Sequence, residues 1–419
     1  MAEKKLLIPW GREEISWNAP EGVVLPQPRG ERPARGTPED ALNQPVGSPP
    51  LRELAAKARR ITIVLPDGTR LWQNVPLMAR ALRQEIVKVG DAEVTWLVGG
   101  GLHRAPTEDE ISLLAGDALL PGDRIFWADP GRVRTTGLAT SRGTPVAIAP
   151  EALDADLLVL AGGIVYHDLA GFSGGRKGIL PAISGRESVQ NNHRLSIARG
   201  LEGLEVNAGR LEGNATAEDM EEYRTLAETL VPLFLLNVIP DDTGRPWCYT
   251  AGSAGEAWRR GVDFAWALQT LYIPERAALV VVSSGGYPCD IDLYQATKSV
   301  TATLSALLPG GGLLLCAGLE DGMGPGSFAR DFPLSLKDRG ALLQQLEEDF
   351  TIPGFIALKV PHDLEGHPSV LVTPREGIPF PGKTFSSLEK GLQWILPRIP
   401  KGPIVFVPSG NGVFLKADA

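Results

Sequence analysis

Two kinds of hydrophobic pattern alternate along this chain. The first consists of short continuous apolar runs, which are typical of strands buried on both faces of a parallel sheet. The runs are bounded by glycine, proline and small polar residues, as expected where a buried strand gives way to a loop. The predicted strands are Ile61–Leu65, Val94–Val98, Arg124–Trp127, Leu157–Ala161, Leu279–Ser283, Gly312–Cys316 and Ile404–Pro408.

The second pattern places apolar residues three or four positions apart and predicts amphipathic helices between these strands. The segment Thr107-Glu108-Asp109-Glu110 has the form of a capping box and predicts the start of one of them. Strands that alternate with helices predict an α/β fold with largely parallel sheets. The predicted helices are Asn74–Gly90, Thr107–Ala115, Ser253–Leu271, Asp292–Leu308, Ser335–Asp349 and Ser386–Leu396.

The same alternation suggests two domains. A second series of strands and helices begins near Ala277, after a long helical pattern that ends around Leu271. We therefore predict one α/β domain over residues 1–271 and another over residues 272–419, with the active site in the cleft between them.

Composition narrows the class of protein. The 419 residues are 43% hydrophobic and 22% charged, which is ordinary for a soluble globular chain, and the net charge of −9 argues against a nucleic-acid partner. No N-terminal apolar segment and no run of about 18 apolar residues occurs, so we expect a cytoplasmic protein without a membrane span. Cys248, Cys289 and Cys316 lack the spacing of a thiolate metal site and predict no disulfide.

Polar side chains follow three of the predicted strands. Asp67 and Arg70 come after the first strand, His103 follows three glycines after the second, and His167 comes after the fourth. Because the carboxyl ends of parallel strands meet at one edge of a sheet, we expect these side chains to lie close together. Taken singly, each has an alternative interpretation as a turn residue or a solvated surface group.

A similar pair occurs in the C-terminal half. Asp292 is a candidate N-cap, and Gln295 and Lys298 lie three positions apart on the helix that it would begin. An amide and an ammonium group beside a helix N-terminus suit a small carboxylate or phosphate, whereas the alternative is a solvated helix face.

Residues 162–194 contain more candidate functional groups than any other stretch of the chain. His167 and His193 flank a glycine-rich loop that ends in Lys177, which favours a phosphorylated cofactor next to proton transfer or a metal. A P-loop is excluded because Gly178, rather than Ser or Thr, follows the lysine. Residues 99–101 lack the spacing of a dinucleotide fingerprint, and no HExxH motif occurs.

Taken in order, six elements between about residues 60 and 300 resemble the nickel-pincer-nucleotide lactate racemase family. The elements are Asp67-x-x-Arg70, Gly101-Leu102-His103, His167, Ser173-Gly174-Gly175-Arg176-Lys177, Asn192-His193 and Tyr294-Gln295-Ala296-x-Lys298.

The resemblance implies a cofactor, which is nickel held by pyridinium-3,5-bisthiocarboxylic acid mononucleotide, the nickel pincer nucleotide. It implies that Lys177 anchors this cofactor as a thioamide and that His193 is the protein ligand of nickel, a role that suits a neutral imidazole. The loop residues implied to bind the nucleotide are Ser173, Gly174, Gly175 and Arg176.

The resemblance also implies a reaction, the inversion of C2 of lactate or a related 2-hydroxy acid by transient hydride transfer to the cofactor. His103 and His167 would be the paired acid/base groups, one for each enantiomer, since an imidazole with a pKa near 6.5 can take and return a proton at neutral pH. The implied substrate-binding residues are Arg70, Gln295, Lys298 and Tyr294, with Asp67 supporting them.

Alternatives remain at this point. Lactate-specific members have a tryptophan in the C-terminal domain, and residues 350–357 contain none, so a sugar-acid 2-epimerase of the same family is the main alternative. A nicotinamide-dependent oxidoreductase and a non-catalytic carrier of the nickel cofactor are further ones. The expected partners are a small 2-hydroxy acid and the enzymes that make the cofactor, and the sequence leaves the oligomeric state open.

Overall fold

The computed structural model describes residues 4–90, 92–204 and 207–418. The strands are β1 Lys4–Trp10, β2 Glu13–Ala19, β3 Gln27–Pro28, β4 Arg60–Pro66, β5 Glu93–Gly99, β6 Arg124–Trp127, β7 Arg134–Ala139, β8 Pro145–Ile148, β9 Leu157–Gly163, β10 Tyr166–His167, β11 Gly171–Phe172, β12 Leu233–Pro240, β13 Pro246–Gly252, β14 Thr270–Ile273, β15 Ala277–Ser283, β16 Leu307–Cys316, β17 Ser369–Val372, β18 Lys383–Phe385, β19 Ile404–Val407 and β20 Phe414–Ala417. The helices are α1 Pro38–Asn43, α2 Leu51–Ala55, α3 Val75–Val87, α4 Glu108–Ala115, α5 Pro150–Leu153, α6 Arg186–Arg194, α7 Ala215–Glu228, α8 Glu256–Gln269, α9 Leu293–Thr303, α10 Gly326–Ser335, α11 Arg339–Glu348, α12 Ile352–Asp363 and α13 Leu388–Ile395.

The chain divides into two compact units. The histidine unit comprises Glu31–Ser196 and Gly209–Leu268, and the terminal unit comprises Met1–Gly30, Ile197–Ala208 and Gln269–Ala419. The sequence-based division differs, because it placed Met1–Gly30 and Ile197–Ala208 in the N-terminal domain, whereas here both belong to the terminal unit. The domain organisation inferred from the sequence stays a prediction.

The histidine unit is built on a six-stranded sheet. Its order is β13-β12-β9-β4-β5-β6, with every neighbouring pair parallel except β12 and β13. All residues of β9 and β12 are buried, because helices cover both faces of the sheet. The chain runs from β4 outward to β5 and β6, and then returns to the other side of β4 with β9 and β12. The strand order therefore reverses between β4 and β9, and an open α/β sheet binds ligands at the carboxyl ends of such strands.

The terminal unit has its own parallel sheet in the order β18-β17-β16-β15-β19. The β1–β2 hairpin packs on it, and Trp10, the last residue of β1, donates from Nε1 to the carbonyls of Ala317 and Val372 at 3.0 and 3.2 Å. These carbonyls lie at the ends of β16 and β17, so the hairpin turn covers that edge of the sheet.

The predicted fold class is confirmed, and each predicted strand falls on an observed one. The helix predicted over residues 335–349 is wrong at its start, because α10 ends at Ser335 and Asp338 caps a separate helix, α11. Helix α12 was not predicted, because Pro353 and Pro361 are residues that usually break a helix. In the structure Pro353 lies in the first turn of α12, where proline is tolerated. Within the described residues, no helix combines the length and apolarity needed to cross a lipid bilayer.

Candidate active site

The loops after β4 and β5 join Asp67 to His103. Asp67 caps the short 3-10 helix Gly68–Gln73, accepting from Thr69 N at 3.1 Å through Oδ1, and its Oδ2 lies 2.5 Å from His103 Nδ1. Burial opposes ionisation of the carboxyl group, but its hydrogen bonds to His103 and Thr69 lower the pKa of Asp67 on balance. An ionised carboxylate only accepts hydrogen bonds, so Nδ1 of His103 carries a proton, and in the neutral imidazole the lone pair lies on Nε2.

Glycine is required in the loop that delivers His103. Gly101 has φ +58°, and a Cβ there would lie 3.1 Å from Pro181. A Cβ at Gly100 would lie 3.0 Å from Oδ2 of Asp67. The run of glycines after β5 thus lets the chain turn tightly against Asp67 while the His103 side chain stays 45% exposed.

His167 follows β9 on the small β10–β11 hairpin and has the opposite tautomer. Its Nδ1 accepts from the backbone N–H groups of Leu169 and Ala170, both at 3.2 Å. A neutral imidazole whose Nδ1 accepts must carry its proton on Nε2. That nitrogen lies 2.6 Å from Nζ of Lys177, to which it can donate when the amine is neutral.

Electrostatics support a neutral Lys177. Burial, together with the positive charges of Arg70 and Arg176, lowers the pKa of the amine to about 7, and Asp168 acts in the opposite direction. A substantial fraction of Lys177 is therefore a free amine, and so a nucleophile, at neutral pH.

The second histidine of the stretch, His193, lies in the last turn of α6 and is buried. Its Nδ1 lies 3.1 Å from Oδ1 of Asn192. Burial lowers the pKa of His193 to about 3, and the charge of Lys177 contributes. The imidazole is neutral, which is the form that binds metals.

The glycine-rich loop between the histidines is held by contacts within the protein. Ser173 Oγ donates to Gly163 O at 2.7 Å, and the backbone N–H of Gly175 donates to Oδ1 of Asn237 at 2.9 Å. Gly174 and Gly175 have φ +70° and +48°. The polar groups of this loop therefore fix its shape.

Two residues that hold the glycine-rich loop were not predicted from the sequence, Asn237 and Trp258. Trp258 donates from Nε1 to Ser173 O at 3.0 Å, and the guanidinium of the buried Arg176 stacks on its ring at 4.1 Å. Arg176 also donates to Ala170 O at 2.8 Å, which places it in the interior. An asparagine within the apolar run of β12 is a signal that could have revealed Asn237, because a buried amide requires a partner.

The remaining predicted site residues lie in the terminal unit, on α9. Asp292 caps this helix by accepting from Gln295 N at 2.7 Å, as predicted. Lys298 donates to Oε1 of Gln295 at 2.6 Å, and Tyr294 packs edge-on against Phe328. The helix thus presents an ammonium group and an amide side by side.

Comparisons with known proteins bear on this arrangement. The model of the lactate racemase N-terminal domain matches residues 15–203, and that of the lactate racemase C-terminal domain matches residues 273–350. The lactate racemase of Lactiplantibacillus plantarum is 31% identical over 298 residues, which is 70% of this chain and 68% of that protein. The chain belongs to the lactate racemase family.

Other members and structures agree with this assignment. The lactate racemase of Thermoanaerobacterium thermosaccharolyticum is 29% identical over 400 residues, 92% of each chain. The structure of its apoprotein superposes with a TM-score of 0.84 at 27% identity, covering 99% of this chain and all of that one. A Thermotoga maritima protein, at 17% identity and a TM-score of 0.63, shares the fold. As a member of the family, the chain is an isomerase of the racemase class.

Proposed function

We propose that the protein inverts C2 of a 2-hydroxy acid, with His103 and His167 as the paired acid and base. The observation that carries this proposal is their opposite tautomers. His103 offers a lone pair on Nε2, because ionised Asp67 holds its Nδ1 proton, whereas His167 carries its proton on Nε2. Inversion through a planar 2-oxo acid needs one group that takes the hydroxyl proton and another that returns a proton to the oxygen.

The residues around Lys177 and His193 fit the nickel pincer nucleotide. His193 is a buried, neutral imidazole, which is a good nickel donor, and about half of the Lys177 amine is free of its proton at pH 7. Lys177 would hold the cofactor as a thioamide, formed by condensation with a thiocarboxylic acid and loss of water. When bound, the cofactor supplies the acceptor that takes a hydride from C2 and gives it back.

Arg70 is the candidate anchor for the substrate carboxylate. Its positive charge acts on both Asp67 and Lys177, so the guanidinium lies within electrostatic range of both groups. A planar guanidinium can grip a carboxylate through two hydrogen bonds. Gln295 and Lys298, three positions apart on α9, are the other candidates for binding a substrate carboxylate or hydroxyl.

Lactate is the first substrate to test, because both curated relatives are lactate racemases. A longer 2-hydroxy acid, including a sugar acid, is the second candidate. Residues 350–357 contain no tryptophan, and their two aromatic residues, Phe350 and Phe355, are buried against each other with ring centroids 5.9 Å apart.

The test is co-expression with the cofactor-making enzymes, followed by intact mass, nickel content and racemisation assays on both enantiomers of lactate and of longer 2-hydroxy acids. We expect an added mass and nickel that are absent from Lys177→Ala. We also expect His103→Gln to retain nickel but lose racemisation. A wild-type protein that carries nickel yet inverts none of these acids would contradict the proposed reaction.

Release of a 2-oxo acid on addition of NAD would instead indicate the oxidoreductase. Retention of the added mass in Lys177→Ala would refute the role of this lysine as the anchor.

A further inference from the structure

A buried carboxylate is connected to His193 through Asn192, and it has no role in the function proposed above. Asp219, on α7, is fully buried and accepts three hydrogen bonds. The hydroxyls of Thr140 and Thr144 donate to it at 2.5 and 2.7 Å, and Nδ2 of Asn192 donates at 2.8 Å. The two threonines flank the turn between β7 and β8, so this turn and α6 both contact the carboxylate of α7.

These contacts fix the orientation of the Asn192 amide. Its Nδ2 faces two atoms that can only accept, Oδ2 of Asp219 at 2.8 Å and the carbonyl of Thr216 at 3.1 Å. Rotation of the amide by half a turn would set its oxygen against both acceptors. The amide oxygen must therefore face Nδ1 of His193, which lies 3.1 Å away.

The tautomer of His193 follows from this orientation. An amide oxygen can only accept, so Nδ1 of His193 carries the proton and the lone pair of the imidazole lies on Nε2. A histidine that binds a metal usually donates its other N–H to an oxygen that fixes the ring and its tautomer.

We propose that Asp219 is a positioning residue that, through Asn192, holds His193 as the Nε2 donor for nickel. The proposal deepens the proposed function and rests on it as far as nickel is concerned. The direction of the hydrogen bonds, from His193 to Asn192 to Asp219, is a property of the protein alone and can be tested without cofactor.

The first measurement uses apoprotein labelled with ¹⁵N-histidine. Nitrogen chemical shifts distinguish a protonated ring nitrogen from one with a lone pair, and a His193→Gln sample assigns the signal. We expect protonated Nδ1 in the wild type. A wild-type signal from protonated Nε2 would overturn the inference without any variant of Asp219.

The second measurement compares Asp219→Asn with the wild type. This substitution replaces the charged acceptor of Asn192 Nδ2 by a neutral amide, so the carbonyl of Thr216 is the one unchanged acceptor that fixes the orientation of Asn192. We expect a mixture of His193 tautomers in the apoprotein and, after co-expression with the cofactor-making enzymes, nickel retention weaker by about 10-fold or more. A folded Asp219→Asn protein with unchanged tautomer and nickel retention would overturn the inference.

Two threonine variants complete the design. Thr144→Val removes one donor to Asp219, so its nickel retention should lie between those of Asp219→Asn and the wild type. Thr250→Val is the matched control, because Thr250 is buried and its hydroxyl makes no hydrogen bond among the described residues. Equal retention in both variants would contradict a role for the Asp219 contacts. A wild-type protein without nickel would refute the proposed cofactor, while the tautomer measurement still decides the role of Asp219.

Discussion

The amine of Lys177 should titrate far below an ordinary lysine. Its pKa is lowered to about 7, first by burial and then by the charges of Arg70 and Arg176. At pH 7 about half of the amine would be neutral, against roughly one part in 2,500 for a lysine with a pKa of 10.4. The neutral fraction, which is the nucleophile, thus rises about 10³-fold. It falls as pH decreases through about 7, because protonation removes the lone pair.

The assay is brief acetylation of the apoprotein across pH 5–11, with mass spectrometry of the peptide that contains Lys177. We expect a midpoint near pH 7 in the folded protein and near pH 10.4 for the same lysine in urea. Arg70→Gln should move the folded midpoint upward by up to about one pH unit, since it removes a neighbouring like charge. Arg134→Gln is the control, because Arg134 pairs with Asp154 and its charge is not among those acting on Lys177.

A folded midpoint above pH 9 would refute this reasoning. It would mean that Lys177 is charged at neutral pH and donates to His167. His167 could then not hold its proton on Nε2 in the hydrogen bond to the lysine, and the assignment of opposite tautomers to the two histidines would fail with it.

Three further predictions concern Asp67, the glycine-rich loop and Lys298. Asp67→Asn should lower kcat by about 10²- to 10⁴-fold with unchanged nickel content, because an amide need not hold the proton on Nδ1 of His103. A kcat equal to that of the wild type would show that the carboxylate is dispensable. Gly175→Ala should cost about 3 kcal/mol in the free energy of unfolding, because φ is +48° and the new Cβ would lie 2.4 Å from Trp258. Gly143→Ala, where φ is +85° and nothing lies within 4 Å, should cost only about 1 kcal/mol; equal losses in urea denaturation would contradict the packing argument. Lys298→Gln should raise KM for the 2-hydroxy acid by about 10-fold or more at constant nickel content, and an unchanged KM would exclude Lys298 from substrate binding.

The sequence revealed the parts of this fold that depend on local pattern. Buried parallel strands appear as apolar runs, and polar residues after β4, β5 and β9 indicated the edge at which Asp67 and His103 meet. The missing parts depend on context. Pro353 is compatible with a helix only because it lies in the first turn of α12, and the sequence does not reveal where that turn begins.

Contacts between distant segments could not be predicted from the sequence either. The role of Lys177 as a neighbour of His167, 10 positions earlier, depends on the hairpin between them. Asn237 holds Gly175 from 62 positions away, and Asp219 holds Asn192 from 27 positions away. Nothing in the local pattern pairs these residues, because each pair is formed by the packing of separate strands and helices.

The three histidines of the histidine unit show why these distant contacts matter for chemistry. Each has its Nδ1 fixed by the protein, so Nε2 is the nitrogen left to define its function. A carboxylate and an amide oxygen hold the Nδ1 proton of His103 and His193, which leaves the lone pair on Nε2 for the proposed base in one and the proposed metal donor in the other. Two backbone N–H groups bind Nδ1 of His167 and leave the proton on Nε2, as the proposed acid requires. The three imidazoles are chemically identical, and the group that faces Nδ1 distinguishes the proposed role of each.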